Sequence, residues 1–221
     1  VFHYVPEFYL YKKLTDEKYQ KVPLIKTLTV DKNIFIGIWL INEPLEILHY
    51  ASDVDLQVEE EAIKHHQKKR EFLASRLLLK QMCLKLGVSS GTIIKTAHGK
   101  PYFNESNCHF SISHTEKYAI CAISFEKTVG IDIETVQDKF LTIAPKFLTP
   151  EEMYIANNQI EPICLRWCIK EAAYKWNGEK GLSFKDEILI AHDAKTLSLK
   201  GTHLNIFIDK ADEKHPWALV Y

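Results

Sequence analysis

The chain has 221 residues, 46% of them hydrophobic, which is enough to bury a real core as one large domain or two small halves. A formal net charge of -1 with 26% charged residues excludes a disordered chain and argues against a surface given over to nucleic acid. The longest strongly apolar run, Ile34 to Ile41, is too short to span a bilayer, and the first residues do not read as a signal peptide. Five cysteines (Cys83, Cys108, Cys121, Cys164 and Cys168) form no C-x-x-C pair. An odd count in a chain of this size speaks against a disulfide framework and for a reducing, cytoplasmic setting. Cys164 and Cys168 are one helical turn apart and read as small core residues.

In chain order, residues 1–33 are mixed, rich in Lys and Tyr, and carry no motif. Ile34 to Ile41 reads as a buried strand, closed by Asn42, Glu43 and Pro44. From about Leu56 to Leu86 apolar residues recur at three-to-four spacing, which predicts a helix stopped by Gly87. This stretch also carries Lys64, Lys68, Lys69, Arg70, Arg76, Lys80 and Lys85, either a solvated face or a local anion site. A short strand over Thr92–Lys95, a loop with Gly99, Pro101 and Asn104, and strands over 118–124 and 129–133 follow. Helices are expected near 138–146, 150–157 and 162–176, the last with Gly178 just past its end. Strands over 187–191, 196–199, 204–208 and 217–220 complete an α+β chain. A boundary is expected near 125–128, giving halves at 1–127 and 128–221.

Three clusters carry chemistry. In Gly130-Ile131-Asp132-Ile133-Glu134, strand alternation puts both carboxylates on one face, a donor set for a hard cation or a plain acidic edge. In Arg166 to Trp176, helical spacing aligns Trp167, Glu171 and Lys175. Glu171 could add a third carboxylate and Lys175 could meet a phosphate, or the two could be a surface ion pair. In Phe110-Ser111-Ile112-Ser113-His114-Thr115, hydroxyls and an imidazole at a strand end suit an anion or simply cap a turn. Neighbours in a strand point to opposite faces, so Ser113 need not touch His114, and the dipeptide is not by itself a nucleophile–base pair.

Together these segments resemble the 4′-phosphopantetheinyl transferase family, in its longer two-half type. The carrying motifs are a G-K-P-x-[LF]-like loop at Gly99 to Phe103, F-[NS]-[IL]-S-H-[ST] at Phe110 to Thr115, G-[IV]-D-[IVL]-E at Gly130 to Glu134, and W-x-x-K-E-[AS]-x-x-K at Trp167 to Lys175. Partial matches are Arg70 to Arg76 and Lys180 to Phe184. The resemblance implies two similar α+β halves forming a pseudo-dimer in one chain, with the active site in the cleft between them. It implies Mg²⁺, or Mn²⁺, held by Asp132, Glu134 and Glu171. Coenzyme A, the co-substrate, would be bound by Arg70, Lys100, Ser113, His114 and Lys175. Glu171, Lys175 and Asp132 would be catalytic. The partner would be an apo carrier protein (acyl, polyketide or peptidyl), and the enzyme a monomer without nucleic-acid or membrane partners. Lys64, Lys68 and Lys69 are further candidates for the 3′-phosphate. The competing readings are a non-catalytic coenzyme A or carrier-binding module and a Mg²⁺-dependent phosphohydrolase.

Overall fold

A computed structural model describes residues 25–221 except 90, 91 and 105. The expectation that the first residues hold no signal peptide lies outside these. The N-terminal elements are β1 (Ile25–Asp31), β2 (Ile34–Leu40), α1 (Leu45–Ala51), α2 (Val54–Glu61), α3 (His66–Leu86), β3 (Ile93–Lys95), β4 (Pro101–Phe103), β5 (His109–His114) and β6 (Tyr118–Ser124). After them come β7 (Gly130–Ile133), α4 (Lys139–Phe147), α5 (Pro150–Ile155), α6 (Ile160–Asn177), β8 (Ile188–Ile190), β9 (Thr196–Leu199), β10 (Thr202–Lys210) and β11 (Pro216–Val220).

Two antiparallel sheets organise the molecule. One has the order β1-β2-β6-β5, the other β7-β11-β10-β9-β8, and β3-β4 form a small ribbon. Strand alternation divides the apolar residues among three cores. In β2 and β6, Trp39, Ala119, Cys121 and Ile123 turn towards α3 and pack with Leu73, Leu77 and Leu78. Their neighbours Ile34, Ile36, Ile38, Ile120 and Ala122 turn the other way and meet Ile131, Ile133, Trp217 and Leu219 of the second sheet. The second sheet's far face, with Ala218 and Val220, packs under α6 through Cys168, Ile169, Ala172 and Ala173. The layers therefore run helix, sheet, sheet, helix, and the two sheets bury a shared core between the halves.

The N-terminal half departs from the sequence expectations in several places, among them a helix over Leu45–Ala51 and a strand over Pro101–Phe103 where a loop was expected. β1 arises within a stretch that showed no pattern, because its partner is the whole length of β2, from Ile25 opposite Trp39 to Asp31 opposite Ile34. The single helix expected over 56–86 is two helices. Glu60, 3% exposed, is held by Lys69 at 2.6 Å and by His49 at 2.9 Å, which folds α2 back towards α3. No Gly or Pro marks that break. The basic run is also largely spent within the fold: Lys68 pairs with Glu71, Lys69 with Glu60 and Lys80 with Asp53, while Lys85 donates to Thr27. Gly87 and Gly178 do end their helices, both left-handed with φ of 67° and 73°. All five cysteines are free thiols, and Cys164 and Cys168 lie fully buried.

Candidate active site between the halves

Where β5 faces β7, the two sheets exchange polar contacts. Ser111 and Ser113 are two apart in β5 and so share a face. Ser111 Oγ accepts from the Ile131 amide at 3.0 Å, and Ser113 Oγ donates to Asp132 Oδ1 at 2.7 Å. Asp132 Oδ1 also accepts from Lys175 Nζ at 2.6 Å, and Lys175 further donates to the Ile131 carbonyl at 3.1 Å. Helix α6 comes this close only because residue 130 is glycine. A Cβ there would fall 1.9 Å from the Ala172 carbonyl oxygen and 2.6 Å from the Trp176 nitrogen.

Two carboxylates, Glu134 and Glu171, sense their acidic neighbours. Burial, then the neighbouring Asp132 and Glu134 charges, push the Glu171 carboxyl up to about 7 against the pull of Lys175. Burial and Asp132 likewise raise Glu134, although Trp167 Nε1 donates to its Oε1 at 3.1 Å. Asp132 is 4% exposed, and its Oδ2 is buried without a hydrogen-bond partner. Among the described residues, however, no three His, Cys, Asp or Glu side chains are gathered closely enough to hold a metal ion as they stand. Glu134 lies just beyond β7, where its backbone amide donates to the Pro216 carbonyl at 3.2 Å. By donor chemistry the residues nonetheless suit a hard cation: Asp132 has an orphaned buried oxygen, and the charges of Asp132 and Glu134 drive the nearby Glu171 towards its neutral form.

Beside this knot lies a cavity of about 450 Å³, with walls that include Phe72, Ser75, Arg76, Lys100, Ser113, His114, Tyr174 and Lys175. His114 borders it and also a more open, polar groove of about 870 Å³ lined by Lys68, Arg70, Glu71, Lys117, Glu134 and Lys139. His114 Nδ1 stands 3.0 Å from Glu71 Oε2, near enough for an ion pair but off the line of a hydrogen bond. Burial lowers the His114 pKa, with Glu71 opposing and Lys68 and Lys175 assisting.

Asp132, Ser113, Lys175, Glu171, Glu134 and His114 are thus collected along one seam. Arg70 and Lys100 have their polar atoms engaged elsewhere. Arg70 donates to the Glu43 carbonyl at 3.0 Å, to the Ile41 carbonyl at 3.4 Å and to Gln67 at 2.9 Å. Lys100 lines the cavity with its stem, but its Nζ donates to the Trp176 carbonyl at 2.8 Å. The sequence reading did not single out Glu71 or Arg76 as site residues. Glu71 stands out only as an acid within a basic run, three residues after Lys68. Arg76 reaches the cavity wall over the Phe72 ring, 5.0 Å from its centroid.

Comparison with known proteins agrees with this layout. The family described as "4′-phosphopantetheinyl transferase N-terminal domain" matches residues 58–124, and the "4′-phosphopantetheinyl transferase superfamily" matches residues 128–220. The chain is 34% identical over 118 residues to the 4′-phosphopantetheinyl transferase gsp of Aneurinibacillus migulanus, covering 50% of this chain and 48% of that protein. It is 31% identical over 139 residues to the 4′-phosphopantetheinyl transferase HetI of a Nostoc species, covering 57% and 58%. To the 4′-phosphopantetheinyl transferase Sfp of Bacillus subtilis it is 35% identical over 92 residues, covering 39% and 40%. The chain spans about half the length of the curated relatives it matches.

Proposed function

This chain belongs to the 4′-phosphopantetheinyl transferase superfamily, and from that premise we propose that it transfers the 4′-phosphopantetheine arm of coenzyme A to a serine of an apo carrier protein, with release of 3′,5′-ADP. The observation that carries this reading is the knot at the seam of the halves. There a cation (Lys175) and a hydroxyl (Ser113) line a cavity sized for part of a nucleotide, and both bind Asp132, whose charge is felt by Glu134 and Glu171 behind it.

The reaction forms a bond between the carrier serine oxygen and the β-phosphorus of coenzyme A. It breaks the bond from that phosphorus to the bridging oxygen, which leaves with 3′,5′-ADP. Such a transfer needs positioning and charge neutralisation more than covalent help. Glu171 takes the serine proton through a carboxylate oxygen. Lys175 leaves its contact with Asp132 to neutralise charge on the departing phosphate. His114 binds the 3′-phosphate from the rim of the cavity, and Ser113 keeps Asp132 oriented. Arg70, spent on backbone carbonyls, stiffens the wall behind His114. Mg²⁺ held by Asp132, Glu134 and Glu171 would supply Lewis-acid neutralisation of the pyrophosphate.

Both walls of the cleft come from one chain, which supports a monomer. Five free thiols fit a cytoplasmic setting. Among the described residues, no helix is long and apolar enough to cross a membrane.

The test is to incubate the protein with coenzyme A, Mg²⁺ and an apo acyl carrier protein, then weigh the carrier by intact mass spectrometry. A gain of one phosphopantetheine, abolished by EDTA, is expected. Coenzyme A binding with no gain on acyl, polyketide or peptidyl carriers would reduce the protein to a binding module.

A further inference from the structure

Lys100 belongs to the N-terminal half, yet its ammonium ends on the C-terminal half. Nζ donates to the Trp176 carbonyl at 2.8 Å, in the last turn of α6. The last four carbonyls of a helix lack intrahelical partners and carry the negative end of its dipole, so a lysine is a suitable donor there. The stem is equally committed. Gly178, just past the helix, has φ 73°, and a Cβ on it would fall 2.6 Å from Lys100 Cδ. Burial holds the Lys100 ammonium down at about 8, with no carboxylate among the causes of its shift. Its cost is therefore offset by the carbonyl and not by an ion pair.

The same turn is fixed from its other side. Lys175, one residue before Trp176, is tied to β7 through Asp132 and the Ile131 carbonyl. We propose that Lys100 is a positioning residue: it clamps the last turn of α6, and with it Lys175, across the seam between the halves, and its charge is not a ligand for the nucleotide. The inference rests on the reading of Lys175 as the group that meets the leaving phosphate. A reacting group displaced by about 1 Å can cost of the order of a hundredfold in rate, so a loosened turn should show in turnover.

The test compares the full chain with its Lys100→Met and Gly178→Ala variants. Met keeps the stem and removes the donor; Ala crowds the stem and leaves the donor. Three quantities are measured: kcat for modification of a purified apo acyl carrier protein, the calorimetric Kd for coenzyme A, and amide exchange at Trp176, Asn177 and Gly178. Both variants should lower kcat about tenfold, leave the coenzyme A Kd within about twofold, and speed exchange at those amides about tenfold. A Kd for coenzyme A that rises as much as kcat falls in Lys100→Met would overturn the clamp in favour of a direct ligand. Unchanged exchange in that variant would overturn it as well. Should the parent chain modify no carrier, the reading of Lys175 fails, while the exchange comparison still decides the clamp.

Discussion

Asp132 shows how much one buried side chain can be asked to do. It accepts from Ser113 and Lys175 through one oxygen and leaves the other unpaired. An unpaired buried acceptor costs about 1–3 kcal/mol, which a bound cation would recover. Asp132→Asn keeps the shape and removes the charge. We expect Mg²⁺ to raise the melting temperature of the parent chain and not of Asp132→Asn, with transfer in that variant down by more than about a hundredfold. A parent melting curve that ignores Mg²⁺ would refute the metal assignment. His114 makes a separate case, because it lines the cavity and pairs with Glu71, not with Asp132, Glu134 or Glu171. His114→Ala should raise the Kd for coenzyme A by about tenfold, the worth of one charge-assisted hydrogen bond, and leave the Kd for 3′-dephospho-coenzyme A nearly unchanged. Equal losses for both ligands would remove the 3′-phosphate from its role.

Helix α6 carries neighbouring residues with opposite duties. Glu171 faces the cleft, whereas Lys170 is fully buried on the other side. Its three donors go to Glu152 Oε2, the Phe184 carbonyl and the Ile188 carbonyl, each at 2.8 Å. Glu152 in turn closes the capping box of α5 with Thr149 and accepts from the Ile190 amide at 3.1 Å. One ion pair thus ties α6 to α5 and to β8. Breaking a buried pair by removing one partner costs about 3–5 kcal/mol, so Lys170→Met should show that loss in the denaturant midpoint, and Lys170→Met/Glu152→Gln should recover part of it. A loss under about 1 kcal/mol would mean the helix is held by its apolar face alone.

Across the whole molecule the halves are joined by the apolar core between the sheets and by a polar latch at one end. Asp212, in the turn between β10 and β11, accepts from Lys117 and His215, each at 2.6 Å, and from Tyr118 at 3.2 Å. Lys117 and Tyr118 belong to the other half. Burial works against the Asp212 charge, but hydrogen bonds from Lys117 and His215 outweigh it and hold the carboxyl well below the usual carboxylate range. A depressed folded pKa means a contribution fully present above the unfolded value, about 3.9, and lost as pH falls through the folded one. Asp212→Asn should therefore be less stable than the parent at pH 7 and pH 5, and the gap should close towards pH 2 in chemical denaturation. A gap that persists undiminished at pH 2 would assign the effect to shape and not to charge.

Local pattern carried much of this fold. Strand β6 falls on the expected 118–124, β2 is within a residue of its expected end, and α6 ends before Gly178, because alternation, helical spacing and a left-handed glycine are written in adjacent residues. The residue types of the candidate site were legible for the same reason: Asp132, Glu134, Glu171, Lys175, Ser113 and His114 stand in short motifs at fixed spacing. Only the tertiary structure decided who holds whom. Strand β1 needed β2 to define it, Glu60 needed Lys69 to break the long helix, and Arg70 and Lys100 turned to backbone carbonyls far along the chain. A hydrogen bond spanning 76 residues, like that from Lys100 to Trp176, leaves no periodic trace, since its partners are fixed by sheet packing and not by neighbours in sequence.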